Sequence, residues 1–270
     1  MTTLTLFIFL LSPFSCSGWN ATCGGVNWWS NNAYVNTITN GLAFTGLVSF
    51  QRVTGSTVPL QGKLVLDWAQ LIWKWANQPG LLNNDGVFVD GFGQDCVTAE
   101  GSPWTYNTGM WLDGLTGLSI ELNNPSFSDE AFTLAKNAAL YFAGNNEDGI
   151  LREISCGGTY VGNCTGADGR EFKGVFVRHL AYAIRDWATN GTAATNAEAA
   201  TWGRQWVMKH LDSLLQNDAS VLQDVEGTVL FGQFYQGPFQ EDNTMWISHS
   251  AGNDVVLAGL EVMMIMDDQV

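Results

Sequence analysis

Apolar side chains recur at helical spacing in seven stretches of this 270-residue chain. Gly, Asn and Asp clusters separate the stretches and indicate turns. The pattern therefore predicts an all-α chain of about seven helices with long connecting loops. The four clearest stripes are Leu64–Trp68–Leu71–Ile72–Trp75, Trp111–Leu115–Leu118–Leu122, Phe172–Phe176–Leu180–Trp187 and Val256–Leu260–Met263–Met264, and weaker ones lie near Tyr34 to Arg52, Phe132 to Phe142 and Trp202 to Leu215.

One loop pattern occurs twice between these stretches. The segments 83–90 and 145–153 each place an Asx-Gly turn before a short apolar, strand-like run that ends in a carboxylate, Asp90 or Glu153, with a cysteine soon after. The inner helices are predicted to begin near Tyr34, Tyr106, Glu171 and Ser248, so a helical hairpin recurs every 65 to 77 residues. Such hairpins cover their apolar faces by stacking, either as an open solenoid or as a closed toroid. Long loops gathered at one rim favour the toroid with a central cleft.

The cysteines and the first residues favour export. Residues 1–18 contain a short apolar run followed by small residues, which is typical of a signal peptide, although a mispredicted N-terminus is the alternative. The run is too short to span a bilayer, so no transmembrane segment is expected. Three Asn-x-Ser/Thr sequons fit a secreted glycoprotein, and they begin at Asn20, Asn163 and Asn190.

Four cysteines remain beyond the leader, an even number without metal-ligand spacing. They are Cys23, Cys96, Cys156 and Cys164. Three disulfide pairings are open. The short Gly-rich loop between Cys156 and Cys164 favours these two as a local pair, which would leave Cys23 with Cys96.

Charge and motifs exclude several classes of function. A net charge of −15 argues against nucleic acid and anionic membranes as partners, because both require Lys and Arg on the protein. The three histidines show no ligand spacing, and neither a phosphate-binding loop nor a G-x-S-x-G elbow is present, so we expect no metal and no cofactor. Twelve Trp side chains leave a neutral ligand open, since their flat rings are either core or ligand platforms.

Four ordered blocks of sequence resemble glycoside hydrolase family 76, the fungal and bacterial endo-α-1,6-mannanases. They are Cys23–Trp29 (CGGVNWW), Tyr34–Asn40 (YVNTITN), Trp104–Gly109 (WTYNTG) and Phe172–Arg178 (FKGVFVR). The resemblance implies an (α/α)6 toroid, here incomplete and with short β-hairpin-like rim loops. It also implies a secreted or cell-wall location and hydrolysis of α-1,6-linked mannan, a polysaccharide partner.

The same resemblance implies a catalytic pair of adjacent aspartates on a helix that precedes the CGGV block. Only the apolar leader precedes that block here, so residues 19–270 are expected to form a single, N-terminally truncated domain without that pair. The alternatives are a non-catalytic mannan-binding or cell-wall protein and a cell-wall transglycosidase of the same family. Inner helices left uncovered by the gap would expose apolar faces, which predicts self-association.

Glycoside hydrolysis normally needs two carboxylates. The only Asp-Asp pair, Asp267–Asp268, lies near the C-terminus and is interpreted as a solvated tail. The repeat places Asp90 and Glu153 on one rim of the toroid, where each either supports a turn and caps a helix or binds sugar hydroxyls.

Further candidates for substrate contact lie at the starts of predicted inner helices. Trp104 and Tyr106 could stack on a sugar ring, and the Asn107 amide could bridge neighbouring hydroxyls. Lys173 and Arg178 lie on one apolar helix, so at least one should face a carboxylate, with Arg178 favoured as an ion-pair partner. Trp28 and Trp29 fit a cleft or a core equally well. The predicted substrate-binding residues are Asp90, Trp104, Tyr106, Asn107, Glu153 and Lys173.

Overall fold

The computed structural model describes residues 18–28, 34–144, 147–154, 169, 171–190, 194–217, 219–221, 229–231 and 254–264. Seven α helices lie in these ranges, which confirms the all-α prediction. They are α1 (Thr37–Thr54), α2 (Val65–Ala76), α3 (Thr105–Leu122), α4 (Ser126–Ala139, continued by a π turn at Leu140–Gly144), α5 (Phe172–Thr189), α6 (Ala194–Asn217) and α7 (254–264).

Short strands occupy the loops between the helices. β1 (Val35–Asn36), β2 (Gly91–Phe92) and β3 (Ala99–Glu100) form an antiparallel sheet in that order. Val35 pairs with Phe92, and Gly91 pairs with Glu100. β4 (Ala219–Val221) and β5 (Val229–Phe231) form a second antiparallel pair. The predicted short hairpins at the rim are therefore present.

The helices alternate between an inner and an outer layer. α3 packs between α1 and α5, while α2 covers α1, α4 covers α3 and α6 covers α5. α7 lies beside α5 and α6, where Arg178 pairs with Asp254 and Leu211 reaches Gly259. This is the stacked-hairpin arrangement that the repeat predicts.

An aromatic cluster fills the space between the first two hairpins. Trp111 of α3 lies 5.2 Å from Phe44, 5.3 Å from Phe88 and 5.5 Å from Trp73 between ring centroids. The Trp73 indole N–H donates to the Glu130 carboxylate at 2.9 Å, so that polar atom is satisfied at the edge of the cluster. Burial of large rings of this kind supplies much of the driving force for folding.

Local signals set the ends of α1. Asn36 is the N-cap, and its side-chain oxygen accepts from the Thr39 N–H. Gly55 ends the helix in a left-handed conformation, with φ at 57°, and its N–H donates to the Gln51 carbonyl. The helix therefore begins three residues after the predicted start at Tyr34.

A disulfide joins Cys23 to Cys96 with a Cα separation of 5.0 Å, so it ties the segment before α1 to the β2–β3 hairpin. Cys156 and Cys164 lie outside the described residues. In the described part of the chain, none of the helices is both long and apolar enough to cross a membrane.

The apolar face predicted for α7 was wrong. Leu260 and Met264 are 47% and 62% exposed, whereas Val255, Ala258 and Val262 are buried. The buried face of α7 carries smaller side chains, which let the helix approach its neighbours. The segment 248–253, where this helix was predicted to begin, lies outside the described residues.

Glycine allows α3 to approach both neighbouring inner helices. A Cβ added at Gly109 would lie 2.5 Å from the Phe176 Cα of α5, which is backbone and cannot swing away. A Cβ at Gly114 would lie 2.6 Å from the Thr45 hydroxyl of α1. Glycine at these positions therefore sets the spacing of the inner layer.

Gly109→Ala is expected to lower the free energy of unfolding by about 1–3 kcal/mol, because the added methyl must push α3 and α5 apart. Gly46→Ala is the matched control, since a Cβ there meets nothing within 4 Å. The control should raise stability by about 0.5–1 kcal/mol through helix propensity alone. Urea unfolding measures both, and equal effects of the two substitutions would contradict the close-packing account.

Candidate active site

The inner helices begin at one rim, where the loop 83–90 crosses the starts of α1 and α3. The Asp90 main-chain carbonyl accepts from the Thr37 N–H at 2.7 Å, and the Val89 carbonyl accepts from the Thr37 hydroxyl at 2.7 Å. The Phe88 N–H donates to the Thr108 hydroxyl at 3.2 Å. Main-chain bonds thus fix the loop, and the Asp90 side chain is left for other contacts.

A cleft of about 410 Å³ opens at this rim. Aromatic rings form two of its sides: Tyr106 stacks on Phe172 at 3.8 Å, and Trp28 meets Tyr34 edge to face at 6.2 Å. Trp28 is 55% exposed, so it is not a core residue. The full lining is Trp28, Tyr34, Asn36, Ile38, Asp90, Tyr106, Glu171, Phe172 and Val175.

Two donors hold the Asp90 carboxylate. The Tyr34 hydroxyl donates to Oδ2 at 2.5 Å, and the Asn107 amide donates to Oδ1 at 3.2 Å. Burial, and then the hydrogen bond to Asp90, raise the pKa of Tyr34 above its ordinary value, so the hydroxyl keeps the proton it donates. Asn107 is fully buried and is not part of the cleft lining. It therefore fixes Asp90 from behind.

Glu153 and Lys173 are buried and are not among the residues that line the cleft. The Glu153 carboxylate accepts from the Thr105 N–H at 3.2 Å and from the Thr105 hydroxyl at 2.5 Å, which caps α3. Burial raises the pKa of Glu153 to about 8, and this outweighs the opposing hydrogen bonds from Thr105 and the positive charge of Lys173. Glu153 thus supports the helix start that carries Tyr106.

The two copies of the repeated loop hold equivalent helix starts in different ways. Asp90 caps α1 with its main-chain carbonyl, and Glu153 caps α3 with its side chain. Only the first copy therefore leaves a carboxylate at the cleft. Trp104 precedes α3, packs edge to face on Phe172 at 5.3 Å, and is not among the residues that line the cleft.

The comparisons with known proteins agree on one family. The model of glycosyl hydrolase family 76 matches residues 13–210. The chain belongs to this family. Mannan endo-1,6-alpha-mannosidase DCW1 of Saccharomyces cerevisiae is 32% identical over 179 residues, which are 60% of this chain and 36% of that protein. DFG5 of the same yeast, also named a mannan endo-1,6-alpha-mannosidase, is 28% identical over 82% of this chain and 52% of its own length.

A solved structure supports the fold. The GH76A α-1,6-mannanase of Salegentibacter sp. HEL1_6 superposes with a TM-score of 0.72 at 18% identity, covering 95% of this chain and 68% of that one. A similar match is an inactive variant of that mannanase, with two adjacent aspartates replaced, in complex with α-1,6-mannotriose. These matches confirm the α/α toroid. The protein described here spans about a third to a half of the length of the two yeast relatives.

Most of the residues that line the cleft were not among the predicted contacts, and three of them carry polar or aromatic side chains at helix starts. Tyr34, Glu171 and Phe172 all line it. Each lies at the start of an inner helix and beside or within a recognised sequence block, so position could have indicated them. Tyr34 also borders a second opening of about 680 Å³ formed with Gly93, Gln94, Asp95 and Glu100 of the β2–β3 hairpin.

Other charged side chains lie away from the cleft lining. Arg178 pairs with Asp254 at 2.6 Å, as the sequence favoured, and His179 lies 2.7 Å from Asp113. Among the described residues there is no group of three His, Cys, Asp or Glu that could hold a metal ion. Several candidates lie outside the described residues, namely Trp29, Asn163, His249 and the Asp267–Asp268 pair.

His210 holds the second loop in place. Its Nε2 lies 2.9 Å from the Leu151 N–H, which donates to it, and its Nδ1 lies 2.7 Å from the Trp206 carbonyl, which requires the proton on Nδ1. Burial lowers the pKa of His210 to about 4. The imidazole is therefore neutral in the folded state at physiological pH.

Because the folded pKa of His210 lies below the ordinary value of 6.5, its contribution to stability is complete above that value and is lost as pH falls through about 4. We expect urea unfolding of the wild type at different pH values to show this loss. In His210→Gln, the unfolding free energy should change less between pH 6.5 and about 4. Glu153 acts in the opposite direction, since its raised pKa makes its contribution complete below 4.5 and lost as pH rises through about 8. If the unfolding free energies of the wild type and of His210→Gln depend on pH in the same way, the pH dependence does not come from His210.

Proposed function

We propose that this chain acts on α-1,6-linked mannan as a glycoside hydrolase, and that the cleft at the rim of the inner helices binds its mannose units. The observation that carries the proposal is the Asp90 carboxylate, fixed by Tyr34 and Asn107 in a cleft with aromatic sides. Membership of family 76 supplies the reaction class.

The chemistry of the cleft suits a neutral polysaccharide. Tyr106 and Trp28 offer ring faces and edges to the C–H surface of a sugar. Asp90 and Glu171 offer acceptor oxygens to its hydroxyls. A chain with a net charge of −15 would repel a polyanion but not mannan.

Asp90 is proposed as a binding residue. It already accepts two hydrogen bonds, and the Tyr34 and Asn107 donors orient the remaining lone pairs of the carboxylate. Hydrolysis needs a carboxylate pair across the scissile bond, and the inactive Salegentibacter variant points to adjacent aspartates for that role in the relative.

We also propose a secreted or cell-wall location. The Cys23–Cys96 disulfide supports it, because such bonds persist in oxidising compartments. The apolar run near the first residue and the sequons at Asn20 and Asn190 point the same way.

Asp90→Ala is expected to weaken α-1,6-mannotriose binding about 10- to 100-fold, which corresponds to the loss of hydrogen bonds to a charged group. The helix cap at Thr37 uses the Asp90 main chain and is kept, but the buried Asn107 amide loses its acceptor, so the melting temperature should fall by about 2–4 °C. Asp85→Ala is the matched control, since Asp85 lies exposed on the same loop and does not line the cleft. Isothermal titration calorimetry gives the affinities.

The outcomes separate the possible activities. Release of mannooligosaccharides from mannan by the wild-type chain supports the hydrolase. Binding without release would replace it by a mannan-binding role, and transfer products would indicate a transglycosidase. If mannotriose does not bind, or if Asp90→Ala and Asp85→Ala bind equally well, the assignment of this cleft is wrong.

A further inference from the structure

A second cleft lies at the other end of the inner helices. Its volume is about 770 Å³, and it opens where α3 turns into α4 and where α5 ends. The polar groups around it include Ser119, Asn123, Asn124, Thr189 and Asn190. Asn123, the C-cap of α3, is 17 positions after Tyr106, so this cleft lies about 25 Å from the candidate active site at the helical rise per residue.

Asn190 is both the C-cap of α5 and the first residue of the sequon Asn190-Gly191-Thr192. Its side chain is exposed at the edge of the second cleft. The amide nitrogen donates to the Asp186 carbonyl at 3.3 Å and to the Thr189 hydroxyl at 3.0 Å. Substitution on the nitrogen leaves one N–H, so one of these bonds can survive attachment of a sugar.

Asn20, by contrast, is embedded in a turn. Its oxygen accepts from the Thr22 and Cys23 N–H groups, and its amide nitrogen donates to the Asn27 side chain at 3.0 Å. A glycan there could keep the bond to Asn27, but it would be attached to a half-buried residue, whereas Asn190 is exposed. Exposure therefore favours a glycan at Asn190 over one at Asn20.

We infer that Asn190 is an N-glycosylation site and that the first sugar of its glycan occupies the second cleft. A lipid-diphosphate-linked oligosaccharide is the donor: the C1–O bond to the diphosphate breaks, the C1–Nδ2 bond to Asn190 forms, one amide proton is lost, and the lipid diphosphate leaves. Ser119, Asn123 and Asn124 line this cleft and give it a polar surface beside the N-acetylhexosamine. The inference rests on the proposed secreted location and not on mannan binding.

The test uses the full chain, exported from a eukaryotic host, with Thr165→Ala introduced to remove the Asn163 sequon. Thr192→Ala removes the Asn190 sequon and keeps Asn190 itself. Thr22→Ala is the matched control, because Thr22 bonds to Asn20 through its main-chain N–H. Peptide mass spectrometry reports occupancy. An endoglycosidase that leaves a single N-acetylglucosamine on the asparagine separates the first sugar from the rest of the glycan.

We expect Asn190 to be occupied, and we expect the protein trimmed to one sugar to keep the melting temperature of the fully glycosylated form. Thr192→Ala should lower it by about 2–4 °C, the change that a loss of about 1 kcal/mol produces in a chain of this size. Thr22→Ala should leave both occupancy at Asn190 and melting temperature unchanged. If the exported protein carries an unmodified Asn190, the proposed glycosylation site is wrong, while the proposed secreted location still holds. If Asn190 is glycosylated but the trimmed protein and the Thr192→Ala variant have the same melting temperature, the first sugar does not occupy the second cleft.

Discussion

Cys23→Ala combined with Cys96→Ala is expected to lose about 4 kcal/mol of unfolding free energy. The two cysteines are 73 residues apart, and a cross-link over a loop of this length removes much of the conformational entropy of the unfolded chain. Alanine is preferred to serine, because Cys23 is buried and a hydroxyl there would add a desolvation cost. The loss should appear in urea unfolding of the oxidised proteins.

Reduction provides the control for this prediction. A thiol reductant should destabilise the wild-type chain and should remove the difference between it and the double variant. The disulfide also joins the segment before α1 to the β2–β3 hairpin. In the variant, the backbone amides of this hairpin should therefore lose protection from hydrogen exchange first. A difference below about 1 kcal/mol would show that the cross-linked loop is already ordered in the unfolded ensemble.

Arg52→Met is expected to cost about 3 kcal/mol, because it leaves a buried carboxylate without its counter-charge. The Arg52 guanidinium bonds both oxygens of Asp186 at 2.8 and 3.0 Å. The Asp186 side chain is 2% exposed, and the Thr116 hydroxyl also donates to it at 3.0 Å. Methionine keeps the length of the apolar stem, so the loss reports the charge rather than the packing.

Arg185→Met is the matched control on a neighbouring residue. The Arg185 side chain is 44% exposed, it pairs with Glu261 at 2.9 Å, and its Nε approaches Asp186 no closer than 3.9 Å. An exposed pair of this kind contributes less than about 1 kcal/mol. Equal losses for the two substitutions would mean that solvent screens Asp186 as well. The Arg52 effect should also persist at high salt, whereas the Arg185 effect should fade.

Sequence periodicity predicted where the helices lie, because the residues on the buried face of a helix are apolar and recur at the helical period. It did not predict which face of α7 is buried, since Ala258 and Gly259 pack closely and carry little hydrophobic signal. The ion pair between Arg52 and Asp186 joins residues 134 positions apart, and no local pattern indicates such a pairing. Contacts of this kind depend on how the hairpins stack.

The candidate site was predictable in part. Asp90 and Tyr106 were expected at the rim and line the cleft, because the repeat and the helix starts locate them. Glu153 looked equivalent to Asp90 in the sequence, yet it caps Thr105 from a buried position. The difference between main-chain and side-chain capping depends on a few ångströms of loop position. Sequence spacing does not carry that information.

The place of α3 between α1 and α5 has a consequence for how the protein is made. Each inner helix packs on the inner helix that comes before it in the chain and on its own outer partner. The hairpins can therefore dock one after another as the polypeptide leaves the ribosome, each new pair adding to a template that is already folded. A defect in α3 would separate the α1–α2 hairpin from the α5–α6 hairpin, whereas a defect in α7 would leave the packing of α1, α3 and α5 in place.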